Sequence, residues 1–153
     1  MNPKIVYGNI IEQNVEVIVN SWNRNIIPWW LLLPQGVSKA IKNKGGYAPF
    51  KEIAKLGPIE LGGARITSAG KLPYKAIIHV AGINMFWVAT RYSIANSVIN
   101  AIKLVNEYKF SSVAFPLIGS GSGNRGKKFS QEIMLETFQG VKTSAEVFIL
   151  RYQ

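Results

Sequence analysis

The chain has 153 residues, of which 48% are hydrophobic, and its 18 basic and eight acidic residues give a formal net charge of +10. A chain of this length buries one good core rather than two, so the sequence predicts a single domain over residues 1–153. It has no cysteine and one histidine, which excludes a disulfide framework, a thiolate nucleophile and most zinc sites, so we expect neither a metal nor a cofactor.

Hydrophobic periodicity predicts six strands and four helices in alternating order. The predicted strands cover residues 4–7, 16–20, 63–68, 75–81, 113–118 and 145–151. The predicted helices cover residues 36–45, 49–56, 91–107 and 127–138. This order indicates an α/β fold in which a mixed six-stranded sheet lies between two helical layers, with ligand-binding loops at the strand ends.

A long irregular segment follows the second predicted strand. It opens at residues 20–25 and continues through Pro28, Trp29, Trp30 and Pro34, whose rings fit neither a regular strand nor a regular helix. Loops of this length in a compact domain are often functional. Two adjacent tryptophans would expose much apolar area, so we expect at least one to be buried against the domain, a partner or a ligand. Stacking on the bases of a nucleic acid is one hypothesis for them.

A glycine-rich turn joins the fifth predicted strand to the fourth predicted helix. It contains Gly119, Gly121, Gly123 and Gly126, which let the backbone approach a ligand closely while the first amides of the helix converge on it. This arrangement is typical of phosphate sites, and a plain loop is the alternative. The turn has no Walker ending and does not follow the first strand, as a dinucleotide fingerprint would, so another phosphate-binding fold is indicated.

Several segments, taken in order, resemble the macrodomain family, whose α/β/α modules bind ADP-ribose and in many members hydrolyse its adducts. The resemblance lies in the succession of motifs more than in any one of them, and it covers nearly the whole chain. It implies a three-layer α/β/α macrodomain-like fold with a mixed six-stranded sheet. The segments are Gly8-Asn9-Ile10, Val17-Ile-Val-Asn-Ser-Trp-Asn23, Gly36-Val-Ser-Lys-Ala-Ile41, Gly62-Gly-Ala-Arg-Ile-Thr67, Leu72-Pro73, Ile77-Ile-His-Val80 and Phe115-Pro-Leu-Ile-Gly-Ser-Gly121.

The resemblance also implies a set of ligand-binding residues. Asn9 stands where the family has an aspartate that accepts a hydrogen bond from adenine, and its side-chain carbonyl could still accept one. The segment Leu32-Leu-Pro-Gln-Gly36 stands where the family has its first glycine loop. The loop here is longer, and its Pro34 restricts backbone approach to the diphosphate. Residues 29–32 of this loop could instead form an apolar lid. The implied residues are Gly8, Asn9, Ile10, Trp22, Gln35, Gly36, Val37, Asn84, Phe86, Ile118, Gly119, Ser120, Gly121, Ser122, Gly123, Asn124 and Arg125.

The family's catalytic carboxylates have no counterpart here. Ser38 stands where many hydrolytic macrodomains have a water-positioning aspartate, and Gly123 stands where another branch has one. The resemblance leaves Asn20, Asn23 and Ser38 as catalytic candidates that would position a water for attack at C1″ of the distal ribose, slowly for lack of a base. We expect metal-independent hydrolysis of protein- or nucleic-acid-linked ADP-ribose, or of O-acetyl-ADP-ribose. The alternative is a non-catalytic module that binds ADP-ribose or a related nucleotide signal.

Each candidate residue also has a purely structural interpretation. Asn20 and Asn23 end a strand, where asparagine commonly caps a turn. Trp22 could pack in the core instead of stacking on the ligand. His79 lies within an apolar strand, so we predict a hydrogen-bonded core histidine and not a general base. Arg125 could bind a phosphate or face solvent.

Charge and termini give expectations about partners and location. Every acidic residue is a glutamate, and the excess of lysine favours a polyanionic partner: ADP-ribose, an ADP-ribosylated macromolecule or a nucleic acid. A nucleic-acid-binding domain without a nucleotide pocket is a third interpretation, supported by charge alone. Scattered lysines that serve solubility are the alternative. Because no apolar run has membrane-spanning length and no signal-peptide pattern is seen, we expect a cytoplasmic protein without a membrane partner.

Overall fold

The computed structural model describes residues 1–25, 36–84, 86, 88–120 and 126–151. Six strands and four α helices lie in these ranges, in the order that the sequence predicts. The strands are β1 (Lys4–Tyr7), β2 (Val17–Trp22), β3 (Ala64–Thr67), β4 (Ala76–Ala81), β5 (Ser112–Pro116) and β6 (Glu146–Arg151). The helices are α1 (Gly36–Gly45), α2 (Ala48–Lys55), α3 (Arg91–Glu107) and α4 (Lys127–Gln139), and none in the described ranges is long and apolar enough to cross a membrane.

One sheet holds all six strands in the order β1-β6-β5-β2-β4-β3. Five strands are parallel, and only β3 pairs antiparallel, with β4. The central strands β2 and β4 are buried over most of their length because helices cover both of their faces. The expected α/β fold with a mixed six-stranded sheet is therefore confirmed.

Two hydrophobic clusters hold the helical layers to the two faces of the sheet. Helices α3 and α4 place Ile94, Val98 and Phe138 against sheet residues such as Val19 and Phe115. Helices α1 and α2 contribute a second, smaller cluster on the opposite face, formed with alternate residues of the same strands. The alternation along β2 and β4 therefore decides which side chain meets which helical layer.

The element boundaries differ from the predicted ones by a few residues, for identifiable reasons. Strand β2 extends to Trp22 because Ser21 and Trp22 continue its pairing with Val80 and Ala81 of β4. Strand β5 ends at Pro116, since the next residues form a turn. A single turn of 3-10 helix at Ile10–Glu12, capped by the Asn9 side chain, was not expected from the sequence.

Candidate functional site

The topology creates a crevice at the carboxyl ends of two neighbouring strands. Strands β2 and β5 lie side by side and run parallel, yet the chain leaves β2 toward the layer of α1 and leaves β5 toward that of α4. Open α/β sheets bind ligands at such a switch point. The described segments that border it are residues 20–25, 82–84, 88–90, 117–120 and the start of α1.

The ends of β2, β4 and β5 pack closely at the base of this crevice. A Cβ atom on Gly82 would lie 2.6 Å from Cγ2 of Ile118, and one on Gly119 would lie 2.3 Å from Cβ of Ala89. Gly119 also has a φ of +76°, which other residues rarely adopt. Both positions therefore require glycine for packing. Sequence reasoning missed Gly82 and Ala89, although Gly82 directly follows a predicted strand.

The described part of the glycine-rich turn between β5 and α4 is held by internal hydrogen bonds. The Gly119 amide donates to Oγ of Ser21 at 3.4 Å, and the amide of Ser120 donates to the Leu117 carbonyl at 3.2 Å. On the α4 side, Oγ of Ser130 donates to the Ile118 carbonyl at 2.7 Å. The amides of residues 119 and 120 thus have partners within the protein. The predicted ligand residues Gly121, Ser122, Gly123, Asn124 and Arg125 lie outside the described residues, as do Gln35 and the Trp29–Trp30 pair.

A chain of buried hydrogen bonds runs from α1 through the sheet. Oγ of Ser38 donates to Oδ1 of Asn20 at 2.9 Å, and Nδ2 of Asn20 lies 3.0 Å from Nδ1 of His79. Nε2 of His79 lies 2.8 Å from Oγ1 of Thr67, which donates to the Ser68 carbonyl at 2.9 Å. All four side chains are buried, so their polar atoms need these partners.

The direction of donation along this chain fixes the form of the histidine. Because the Asn20 amide can only donate from Nδ2, Nδ1 of His79 must accept, and the ring proton resides on Nε2. Complete burial lowers the pKa of the His79 imidazole to about 3. His79 is therefore a neutral, hydrogen-bonded core histidine, as the sequence predicted. It has no solvent access that a general base needs.

The chain of bonds also places two of the three catalytic candidates. Asn20 and His79 are paired residues in the β2–β4 register, and the first turn of α1 lays Ser38 over Asn20. The structure thus brings Asn20 and Ser38 into direct contact. The Asn20 side chain has no exposed surface and Ser38 has only 4%. Since the Ser38 proton is given to Asn20, only lone pairs of its oxygen remain to accept a hydrogen bond.

Asn23 and Trp22 lie at the mouth of the crevice in different roles. Oδ1 of Asn23 accepts from the Asn25 amide at 2.6 Å, which makes it a turn-forming residue. The Trp22 ring is buried against Phe50, with ring centroids 5.4 Å apart, and so packs in the core. Asn25 donates to the carbonyls of Ile53 and Gly57, at 2.7 and 2.9 Å, and joins this turn to the end of α2.

The residues expected on the adenine side lie in two other loops. Gly8 donates its amide to the Arg151 carbonyl, and Oδ1 of Asn9 accepts from the Ile11 amide at 3.2 Å, while Ile10 is fully buried. The Asn9 carbonyl oxygen that was expected to accept from adenine therefore already caps a helical turn.

The loop after β4 presents an exposed aromatic ring. Oδ1 of Asn84 accepts from the amides of residues 86 and 88, at 2.8 and 3.2 Å, so Asn84 shapes the loop. This arrangement leaves the Phe86 side chain 83% exposed. Phe86 is thus available to a ligand, whereas the Asn84 carbonyl has local partners. Of the ligand residues expected next to the first helix, Gly36 begins α1 and Val37 packs partly against the smaller cluster.

The described part of the chain contains no cluster of metal-ligating side chains. No group of three or more histidine, aspartate or glutamate side chains there is arranged to hold an ion. The side chains brought together in the candidate site are neutral amides, hydroxyls and one neutral imidazole. Such a set can orient a bound molecule or a water, but it offers no carboxylate to remove a proton.

A family model described as "Macro domain" matches residues 19–134 of the chain. The chain belongs to the macro domain family. It is 30% identical to a macro domain-containing protein of Caldanaerobacter subterraneus subsp. tengcongensis, over 96% of this chain and 87% of that protein. It is also 38% identical to an uncharacterized protein of Sulfurisphaera tokodaii over 77% of this chain, and the match spans 64% of that protein's length.

Solved macrodomain structures confirm the fold at the level of the whole domain. A variant of the Oceanobacillus iheyensis macrodomain with ADPR superposes with a TM-score of 0.83 at 29% identity, covering 95% of this chain and 82% of that one. The same macrodomain with ADP gives 0.82 at 28% identity, covering 97% and 81%. The predicted resemblance to the macrodomain family is therefore confirmed.

Proposed function

We propose that this macrodomain binds ADP-ribose in the crevice at the carboxyl ends of β2 and β5 and hydrolyses ADP-ribosyl adducts. The observation that carries the proposal is the match, over nearly the whole chain, to macrodomain structures that hold ADPR and ADP. The switch-point crevice, the glycine-rich turn beside it and the net positive charge all suit a nucleoside diphosphate.

In the proposed reaction of a protein- or nucleic-acid-linked adduct, the oxygen of a water bonds to C1″ of the distal ribose, and the bond from C1″ to the carrier breaks. In O-acetyl-ADP-ribose the water oxygen instead bonds to the acetyl carbonyl carbon, and the ester C–O bond to the ribose breaks. The water's proton is released and the leaving group takes up one. The residues of this chain contribute positioning: Asn23 at the mouth, and Asn20 with Ser38 at the base, where a fixed geometry lowers the entropic part of the barrier. Without a carboxylate in this set, we expect slow turnover.

A non-catalytic reader of ADP-ribose is the second candidate, and one observation favours it. Both polar atoms of the Asn20 side chain are occupied, by Ser38 and His79, and all three residues are buried. A group held in this way contributes shape to a binding site more readily than it contributes chemistry. The two functions differ in turnover but not in affinity for ADP-ribose.

Calorimetry with free ADP-ribose tests the binding proposal, and a panel of substrates tests the hydrolysis. The panel contains ADP-ribosylated protein, ADP-ribosylated DNA and O-acetyl-ADP-ribose. We expect heat of binding and slow release of ADP-ribose from at least one substrate. Absence of heat at millimolar ADP-ribose would overturn both candidate functions. Binding of ADP-ribose without release from any substrate would overturn the hydrolase and support the non-catalytic reader.

The variant Asn23→Ala tests the assignment of the site. We expect it to lower kcat more than it raises KM, since a residue that orients the reacting ribose acts mainly in the transition state. Asn43→Ala, exposed on the far half of α1, is the matched control. A full rate in Asn23→Ala would remove Asn23 from the proposed site while leaving ADP-ribose binding intact.

A further inference from the structure

The two helical layers differ sharply in charge. Helices α1 and α2 carry five lysines and one glutamate, a net charge of +4. A sixth lysine, Lys71, lies beside the end of α1, where its amide donates to the Gly45 carbonyl at 2.9 Å. Helices α3 and α4 carry Arg91 and three lysines against three glutamates, a net charge of +1. Of the two helical layers, that of α1 and α2 therefore carries the larger positive charge. The lysines of that face are Lys39, Lys42, Lys44, Lys51 and Lys55.

The positive charges on that face are not neutralised within the described residues. The ion pairs among all the described residues join Lys4 to Glu146, Lys75 to Glu16 and Arg91 to Glu136, and none of them involves a lysine of α1 or α2. Glu52, the one acidic residue on these helices, accepts instead from the amide and hydroxyl of Ser68. Solvated lysines in this arrangement attract a polyanion.

An aromatic side chain lies among these lysines. Tyr47, in the turn between α1 and α2, is 47% exposed, and Nζ of Lys42 lies 5.6 Å from the centroid of its ring. Lys51 and Lys55 follow Tyr47 at intervals of four residues, so the three side chains share one exposed face of α2. A row of lysines beside an exposed aromatic ring is a combination that binds single-stranded nucleic acid: the lysines contact its phosphate backbone and the ring stacks on its bases.

This row of lysines ends beside the crevice. The carbonyls at the end of α2, those of Ile53 and Gly57, accept from Asn25, and the Ile59 amide donates to the Arg24 carbonyl at 2.7 Å. Arg24 and Asn25 follow directly after β2, at the mouth of the candidate site. A single-stranded nucleic acid lying along α2 from Tyr47 toward Lys55 would therefore reach the crevice.

We propose that the surface formed by Lys42, Tyr47, Lys51, Lys55 and Lys71 binds single-stranded nucleic acid. The further step, that the carrier of the ADP-ribosyl group is itself a nucleic acid, rests on the function proposed above. The proposed nucleic-acid-binding surface does not rest on that function, because it can bind a nucleic-acid strand that carries no ADP-ribose.

The first test measures binding of a fluorescent, unmodified oligothymidylate as a function of salt concentration. For single strands, the slope of log K against log salt changes by about 0.7 for each phosphate contact. We expect the double variant K51Q/K55Q to reduce that slope by about 1.4. The control K103Q/K142Q removes the same charge from exposed positions on the opposite side and should leave the slope unchanged.

The second test concerns the ring. Tyr47→Ala should weaken oligothymidylate binding about tenfold, because base stacking on an aromatic side chain is lost. Tyr108→Ala, which removes another exposed tyrosine at the end of α3, should have no effect. Melting temperatures of all variants check that they fold.

Three results would overturn the proposal: no binding by the parent at low salt, equal losses in the two double variants, or competition by polyglutamate as strong as that by oligothymidylate. The last would indicate a site for polyanions of any kind. Calorimetry with free ADP-ribose on the same samples separates the two proposals. Oligonucleotide binding without ADP-ribose binding overturns the proposed function alone, and the reverse overturns only this surface.

Discussion

The two faces of the central sheet use opposite chemistry. The buried sheet residues that α3 and α4 cover are apolar, as in the contact of Phe115 with Phe138. On the other face, β2 and β4 place Asn20 and His79 at equivalent positions, where α1 supplies Ser38 to complete a buried chain of hydrogen bonds. The apolar face stabilises the fold through area and packing, whereas the polar face fixes particular side chains next to the crevice.

The largest effect is expected on the apolar face. Phe138→Ala should lower the free energy of unfolding by about 4 kcal/mol, because a fully buried ring in edge-to-face contact with Phe115 is replaced by a cavity. Urea denaturation at neutral pH measures it. Phe86→Ala, which truncates a largely exposed ring, should change stability by less than about 0.5 kcal/mol. A small loss in Phe138→Ala would mean that this face does not carry the stability.

On the polar face, His79→Leu should lower the free energy of unfolding by about 2 kcal/mol, since it leaves the Asn20 amide without an acceptor and the Thr67 hydroxyl without a donor. The same denaturation experiment applies. Ile78→Val, one residue away and facing the other layer, should cost about 1 kcal/mol. A His79→Leu variant as stable as the parent would show that the hydrogen-bond chain contributes nothing to folding.

The polar face should also make stability depend on pH. The pKa of His79 is lowered from 6.5 to about 3, so the unfolded chain binds a proton that the folded chain excludes. This contribution is present above pH 6.5 and declines as the pH falls toward 3, by about 1.4 kcal/mol per pH unit. The parent and His79→Leu should therefore become equally stable near a pH of about 5, measured by urea denaturation across the range.

A second group titrates lower and should act equally in both proteins. A hydrogen bond from Lys75, aided by the Ser111 amide, lowers the pKa of the Glu16 carboxyl from 4.5 to about 2. Its contribution is lost only as the pH falls below 4.5. If the difference between parent and His79→Leu stayed constant down to pH 4.5, the assignment of the pH dependence to His79 would be wrong.

The smallest effect is expected for Ser38→Ala, about 1 kcal/mol, because Oδ1 of Asn20 loses one donor and keeps its place in the sheet. Combining it with His79→Leu sharpens the comparison. Since both residues act through Asn20, the double variant should lose at least about 0.5 kcal/mol less than the sum of the single losses. Strict additivity would mean that the two bonds to Asn20 are independent.

The fold could be predicted from the sequence to within a few residues at most boundaries. Helix α3 matches its predicted range, because its apolar residues recur at intervals of three and four and Thr90 with Ser93 forms a capping box. The extension of β2 to Trp22 could not be predicted, since it depends on pairing with β4 more than fifty residues away in sequence.

The candidate site was predictable in outline but not in detail. The succession of motifs pointed to the macro domain family and to Asn20, Asn23 and Ser38. It did not show that Asn20 bonds both Ser38 and His79, or that Trp22 packs on Phe50. The predicted roles of these residues in ligand binding and catalysis, and those of residues 121–125, stay predictions.

The sequence by itself determined the order of strands and helices, the family and the excess of positive charge, because periodicity, motif order and composition are local properties. Only the tertiary structure decided that a histidine and an asparagine from different strands meet under α1, and that the end of α2 is hydrogen-bonded to the turn that follows β2. Both depend on contacts between residues far apart in the chain, and strand order and register set which of them meet.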